Sequence, residues 1–104
     1  MKLINLTPYL LRIPDIDGKV LELFPEGIAA TIEDVSVESV PLRVGEFLIR
    51  TSKTRKRRVL GVPKDRKYGT VYVVSRIVFE YFRDNQEEPR DDIYCVSDHG
   101  LCGL

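Results

Sequence analysis

A chain of 104 residues, 43% hydrophobic and 31% charged, fits one folded domain and lacks the composition of a disordered segment. No apolar run approaches the ~20 residues a membrane helix needs, and the charged opening MKLINLTPYLLRIPDIDG does not fit a signal peptide, so a cytoplasmic protein without membrane contact is expected. Sixteen basic and sixteen acidic side chains cancel overall but are segregated: four and eight over residues 1–49, nine and one over 50–67, three and seven over 68–104.

Lys2 to Leu6 reads as a first strand. Pro8 interrupts it, because proline has no N–H for a ladder bond. Tyr9 to Ile13 resumes as an edge strand. Pro14-Asp15-Ile16-Asp17-Gly18 is a hairpin signal. The return strand is Lys19 to Phe24, with Leu21 and Leu23 expected to face inward. Pro25-Glu26-Gly27 is a second turn. Ile28 to Val35 reads as extended, and Val35 to Val40 alternates with period two, the pattern of a half-buried strand. Gly45 introduces a strand from Glu46 to Thr51. The run Lys53 to Arg58 reads as a loop or hairpin tip. Val59 and Leu60 open a short strand that Gly61-Val62-Pro63 closes.

Thr70 to Val74 is built of β-formers throughout. Ser75 then suits an N-cap, and Ile77, Val78, Tyr81 and Phe82 recur with helical spacing, predicting a helix over 76–84. Tyr72, Phe79, Tyr81 and Phe82 form an aromatic cluster expected to pack the helix against the sheet; Phe79 lies off the stripe, and its alternative is a contact with a partner subunit. Gln86 to Asp92 reads as a polar loop. Ile93 to Val96 and a turn around His99-Gly100 close the chain. The expected fold is a single domain, 1–104, mostly β (α+β): a small antiparallel barrel-like or sandwich sheet with one short helix in the C-terminal half.

The basic segment is the strongest chemical signal. Lys53, Arg55, Lys56, Arg57, Arg58, Lys64, Arg66 and Lys67 form a candidate site for phosphates of nucleic acid or a nucleotide. The competing reading is a solvated loop that neutralises acidic surface or meets an acidic subunit neighbour. Aromatic interleaving is sparse, with Tyr68 and Tyr72 nearby.

Cys95-x3-His99-x2-Cys102 offers alternatives. A two-residue turn at Asp98-His99 would set Cys95 opposite Cys102 and permit a disulfide. A turn at His99-Gly100 would set Cys95 opposite Leu104 instead, with no bond; the remaining reading is two plain thiols, at least one of them partly buried. Structural zinc takes ligands in two separated pairs, and a second pair is lacking, so neither a metal nor a cofactor is expected. Asp15 with Asp17, and Asp91 with Asp92, are carboxylate pairs of a kind that usually serves turns. Without a nucleotide-binding glycine loop or a nucleophile elbow, no catalytic set is assigned.

Several short islands, in order, resemble a family of small phage and prophage proteins that begin Asn-Leu-Thr-Pro-His. They are Asn5-Leu6-Thr7-Pro8-Tyr9, a hairpin like Pro14 to Val20, Gly61-Val62-Pro63, Tyr72-Val73-Val74-Ser75 and Arg90-Asp91-Asp92. Tyr9 stands where the family has His, so no role of that His carries over. The basic run and the two cysteines are not family features. The resemblance implies a viral accessory protein in the host cytoplasm, a context in which such proteins act by binding. The leading expectation is therefore a non-enzymatic protein that contacts nucleic acid or nucleotide phosphates through 50–67. The alternative is a homo-oligomeric module that inhibits or sequesters a host protein. A small metal-dependent hydrolase using Asp91 or Asp92 ranks third.

Overall fold

The computed structural model describes residues 1–85 and 90–104; within them, the side chains of Val35, Val37, Thr54, Arg55 and Lys56 lie outside the description. Among the described residues eight strands and one helix follow in order: β1 (Lys2–Asn5), β2 (Leu11–Pro14), β3 (Val20–Leu23), β4 (Thr31–Val44), β5 (Phe47–Leu60), β6 (Thr70–Val73), α1 (Arg76–Asp84), β7 (Ile93–Ser97) and β8 (Gly100–Gly103). The mostly-β, α+β class is as expected. The barrel-like antiparallel sheet is not found. The main sheet is open and mixed, in the order β1-β6-β7-β8, with β1 and β7 both parallel to β6 and β8 antiparallel to β7. The physical reason is the helix: β6, α1 and β7 form a crossover unit, and a crossover joins parallel strands. Strands β2 and β3 make one separate hairpin, β4 and β5 another.

The core lies between the main sheet and α1. Leu6, Ala30, Tyr72, Val74, Val78, Phe79, Ile93 and Cys95 are buried together, with Ile4, Ile32, Val59, Val62 and Phe82 packed around them. Val73 and Ile93 are fully enclosed; burying a side chain of this size contributes about 1.5–3 kcal/mol. The helix spans the predicted residues, but its phase differs from the expected stripe. It buries Val78 and Phe79, while Ile77 faces solvent. The two-residue link from β6 sets this rotation, so Phe79 is a core residue and is not a partner contact. Ser75 sits at the N-cap in an extended conformation but makes no side-chain capping bond.

In the Asn5-Leu6-Thr7-Pro8-Tyr9 segment the first three residues are buried and tie a polar knot, while Pro8 and Tyr9 are exposed. Asn5 Nδ2 donates to the carbonyls of Tyr9 and Leu23 at 2.7 and 2.9 Å, and its Oδ1 accepts from the Thr7 N–H and hydroxyl at 2.8 and 2.7 Å. Leu6 extends the tie, donating its N–H to Val73 O and accepting from Ala30 N–H. Thus one asparagine closes the irregular turn at Pro8 and fastens the β2–β3 hairpin to the sheet. In that hairpin the turn forms as predicted, with Asp15 Oδ1 accepting from the N–H groups of Asp17 and Lys19. Ile13 takes the deep position, whereas Leu23 is half-buried and Leu21 is exposed, against the expectation for Leu21.

Candidate functional site

The run Lys53 to Arg58 is strand, not loop. β4 and β5 are fourteen residues each and pair along their whole length. At ~3.4 Å per residue such a strand is about 48 Å long, and the molecule measures 69 × 24 × 23 Å. The two strands therefore form an arm that projects from the body. A two-residue turn at Gly45-Glu46 joins them, with Val44 opposite Phe47. Gly45 has φ +60° and Glu46 does not share the positive value. That suits a type II′ hairpin, which needs glycine first.

Paired charges explain why the basic run becomes strand. Glu33 lies opposite Arg58 and Asp34 opposite Arg57, with ion-pair distances of 2.7 and 3.0 Å. Further out, Arg50 reaches Glu38 at 3.2 Å. All these partners are substantially exposed, so each pair adds at most about 1 kcal/mol. Because β5 carries no acid, their larger effect is to relieve the repulsion within the basic run, so that it can lie extended beside β4.

Two irregularities punctuate the ladder. One falls where Val35 and Ser36 face Lys56 and Thr54, leaving Arg55 as the extra residue. The other lies between Ser39 and Leu42, across from Thr51 and Ile49. It accommodates Pro41, which has no N–H for the ladder. There the Ser39 and Thr51 hydroxyls bond across the arm, and Thr51 Oγ1 also donates to the Val40 carbonyl at 2.9 Å.

The arm has three zones. At its base Ile32 and Val59 pack on the core, and Tyr81 Oη on α1 donates to the Arg57 carbonyl at 3.1 Å. Its middle carries the charges. Beyond the second irregularity Leu42 faces Ile49 and Val44 faces Phe47, so these four share one side of the ribbon. All four are exposed, Phe47 at 68%. Val40 and Leu48 add further exposed apolar surface.

The predicted site is thereby divided. Lys53, Arg57 and Arg58 stand on β5, where the side chains of Arg55 and Lys56 lie outside the description. Lys64, Arg66 and Lys67 belong to the connection from β5 to β6 on the body, where Arg66 pairs with Asp91. Tyr68 is exposed, but Tyr72 is buried and is no stacking surface.

The carboxylates named for hydrolysis are occupied. Asp92 is buried and receives both Arg90 Nε and Nη2, at 2.9 and 2.7 Å. Arg90 also donates to the Pro63 carbonyl and lies over the Phe82 ring. The hydrogen bonds to Asp92 hold the guanidinium above its ordinary pKa. Arg66 holds the Asp91 carboxyl below its ordinary range. Arg90 and Arg66 thus hold the two carboxylates, and the Arg90-Asp91-Asp92 island is a clamp between the β7 approach and Gly61-Val62-Pro63.

At the chain end the turn is Asp98-His99, and the register sets Cys95 opposite Cys102. Both are free thiols, Cys95 buried and Cys102 exposed. Burial, with Cys102 alongside, pushes the Cys95 thiol up. His99 is exposed on the turn. Among the described residues no group of three His, Cys, Asp or Glu side chains comes together as a metal site. Among them, too, no helix is long and apolar enough to cross a membrane.

Comparison with known proteins gives no match to any family model, to any curated protein or to any solved structure.

The apolar end of the arm was not marked as functional by the sequence reading. A signal for it exists. Glu33 and Arg58, Asp34 and Arg57, and Val44 and Phe47 are equally distant from Gly45-Glu46, so charge and hydrophobicity are mirrored about that turn.

Proposed function

We propose that the protein is a non-enzymatic viral accessory binding protein whose β4–β5 arm is the working element, presenting the basic strand β5 to the phosphates of nucleic acid. The observation that carries this reading is the arm itself. Strand β5 bears six Lys and Arg and no acid on a projecting two-stranded ribbon, a shape that the major groove of B-DNA admits. The β4 acids stand in for phosphates in the unbound protein, holding Arg57 and Arg58 extended. On binding, those guanidiniums exchange carboxylate for phosphate. A protein partner is the second reading, favoured by the apolar outer end of the arm, which phosphates do not cover.

Fluorescence anisotropy with labelled single- and double-stranded DNA and RNA, at two salt concentrations, tests the first reading. Binding should weaken steeply with salt, and alanine at Arg55, Lys56, Arg57 and Arg58 together should abolish it. Glu33→Gln with Asp34→Asn should tighten it several-fold, because two competing carboxylates are gone. Absence of binding at low salt would remove nucleic acid and leave the protein-partner reading.

A further inference from the structure

The arm and the β2–β3 hairpin are complementary in two independent respects. The first is charge. Residues 31–60 carry seven basic and four acidic side chains, whereas 9–28 carry Arg12 and Lys19 against Asp15, Asp17, Glu22 and Glu26. The second is apolar exposure. Leu42, Val44, Phe47 and Ile49 are exposed on one side of the arm, and Leu10, Val20 and Phe24 are exposed on the hairpin region, Val20 and Phe24 at 57% and 67%. On the arm these side chains are neighbours on one side, and exposed apolar groups so placed mark interaction sites, while on the hairpin the Arg12–Glu22 pair lies between Val20 and Phe24. A two-stranded ribbon alone is also only marginally stable, and covering it supplies what it lacks.

Among the described residues no hydrogen bond or ion pair joins the two surfaces within one chain. The hydrogen bonds and ion pairs described for residues 38–51 run between the arm's own strands. A neighbouring molecule carries both surfaces.

We propose that the apolar end of the arm docks on the β2–β3 hairpin of a second copy of this chain, with Asp15, Asp17 and Glu26 of that copy flanking the basic middle of the arm. The contact joins two different patches. It closes either by reciprocal exchange of arms between two copies or as a ring. It needs no phosphate, so it can be tested apart from the nucleic-acid reading.

The test is sedimentation velocity of nuclease-treated full-length protein over a concentration series, with two variants that keep β-forming residues. The arm variant is Leu42→Thr, Val44→Thr, Phe47→Thr and Ile49→Thr. The hairpin variant is Leu10→Thr, Val20→Thr and Phe24→Thr. Far-UV circular dichroism confirms that both fold. The native chain should be a dimer or larger, and each variant alone a monomer. The two variants mixed should form a heterodimer, because one retains the arm and the other the hairpin. A native chain that stays monomeric throughout, or associates only when nucleic acid is added, overturns the proposal. So does a hairpin variant that still assembles, which would mean that arms meet one another, or a mixture that remains monomeric. A native chain that assembles as expected but binds no nucleic acid at low salt would instead count against the proposed function alone.

Discussion

The body and the arm are built from the same chain by different means. In the body, short strands of four or five residues are held by buried apolar side chains and by two buried polar devices, the Asn5 knot and the Arg90–Asp92 clamp. In the arm, strands three times as long are held by their ladder and by exposed cross-strand ion pairs. Burial makes the first cooperative. The second gives up burial for reach. A substitution should thus unfold the whole molecule when made in the body, and alter only local opening or association when made beyond Asp34 and Arg57.

The sharpest contrast should come from Arg90→Ala. It leaves the Asp92 carboxylate buried without its partner, and losing one partner of a buried pair costs about 3–5 kcal/mol. Urea denaturation should show the midpoint falling accordingly. Asn5→Ala comes next. It removes four hydrogen bonds made by one buried side chain and leaves the Tyr9 carbonyl with the Thr7 hydroxyl alone, at a cost of about 1–3 kcal/mol in the same assay. In the arm, Gly45→Ala forces a Cβ into a φ of +60° and should weaken the hairpin end by about 1 kcal/mol. The global midpoint should stay in place while exchange of the neighbouring amides speeds up.

Smaller effects separate surface from interior. In the native protein a thiol reagent should label Cys102 rapidly and Cys95 only upon unfolding, since Cys95 is buried and its thiol is pushed up. The Arg66–Asp91 pair is exposed, and its contribution to stability is small. Its sign is nevertheless defined. The folded Asp91 carboxyl lies below its ordinary value, so its contribution is present above the unfolded value and fades as pH falls through the folded one. Arg66→Gln should flatten that part of the acid limb of a stability–pH curve.

The body was largely legible in the sequence because its signals are local. Pro8, the Asp15–Gly18 turn and the β-formers of 70–74 each mark an element, and the helix bounds followed from the apolar spacing. Its rotation did not, because Phe79 is chosen over Ile77 by the short link from β6, a tertiary constraint. The parallel pairing of β1 with β6 also lies beyond local pattern, as these strands are joined through everything between them. The arm was misread at Lys53–Arg58 because like charges in succession look unsuited to a strand. They become suited once Glu33 and Asp34 lie opposite. That pairing is visible only by folding the sequence about Gly45-Glu46. The cysteine register was legible as one of two alternatives, and the Asp98-His99 turn decides between them.

The central claim, a cooperative body carrying a separate binding arm, is tested most directly by amide hydrogen exchange on dilute full-length protein. The account predicts that amides of 38–51 exchange through local opening, far faster than those of β6 and β7, which wait for global unfolding. It also predicts that arm amides gain protection when nucleic acid or more protein is added. Arm amides that exchange in step with β6 and β7, indifferent to both additions, would contradict it.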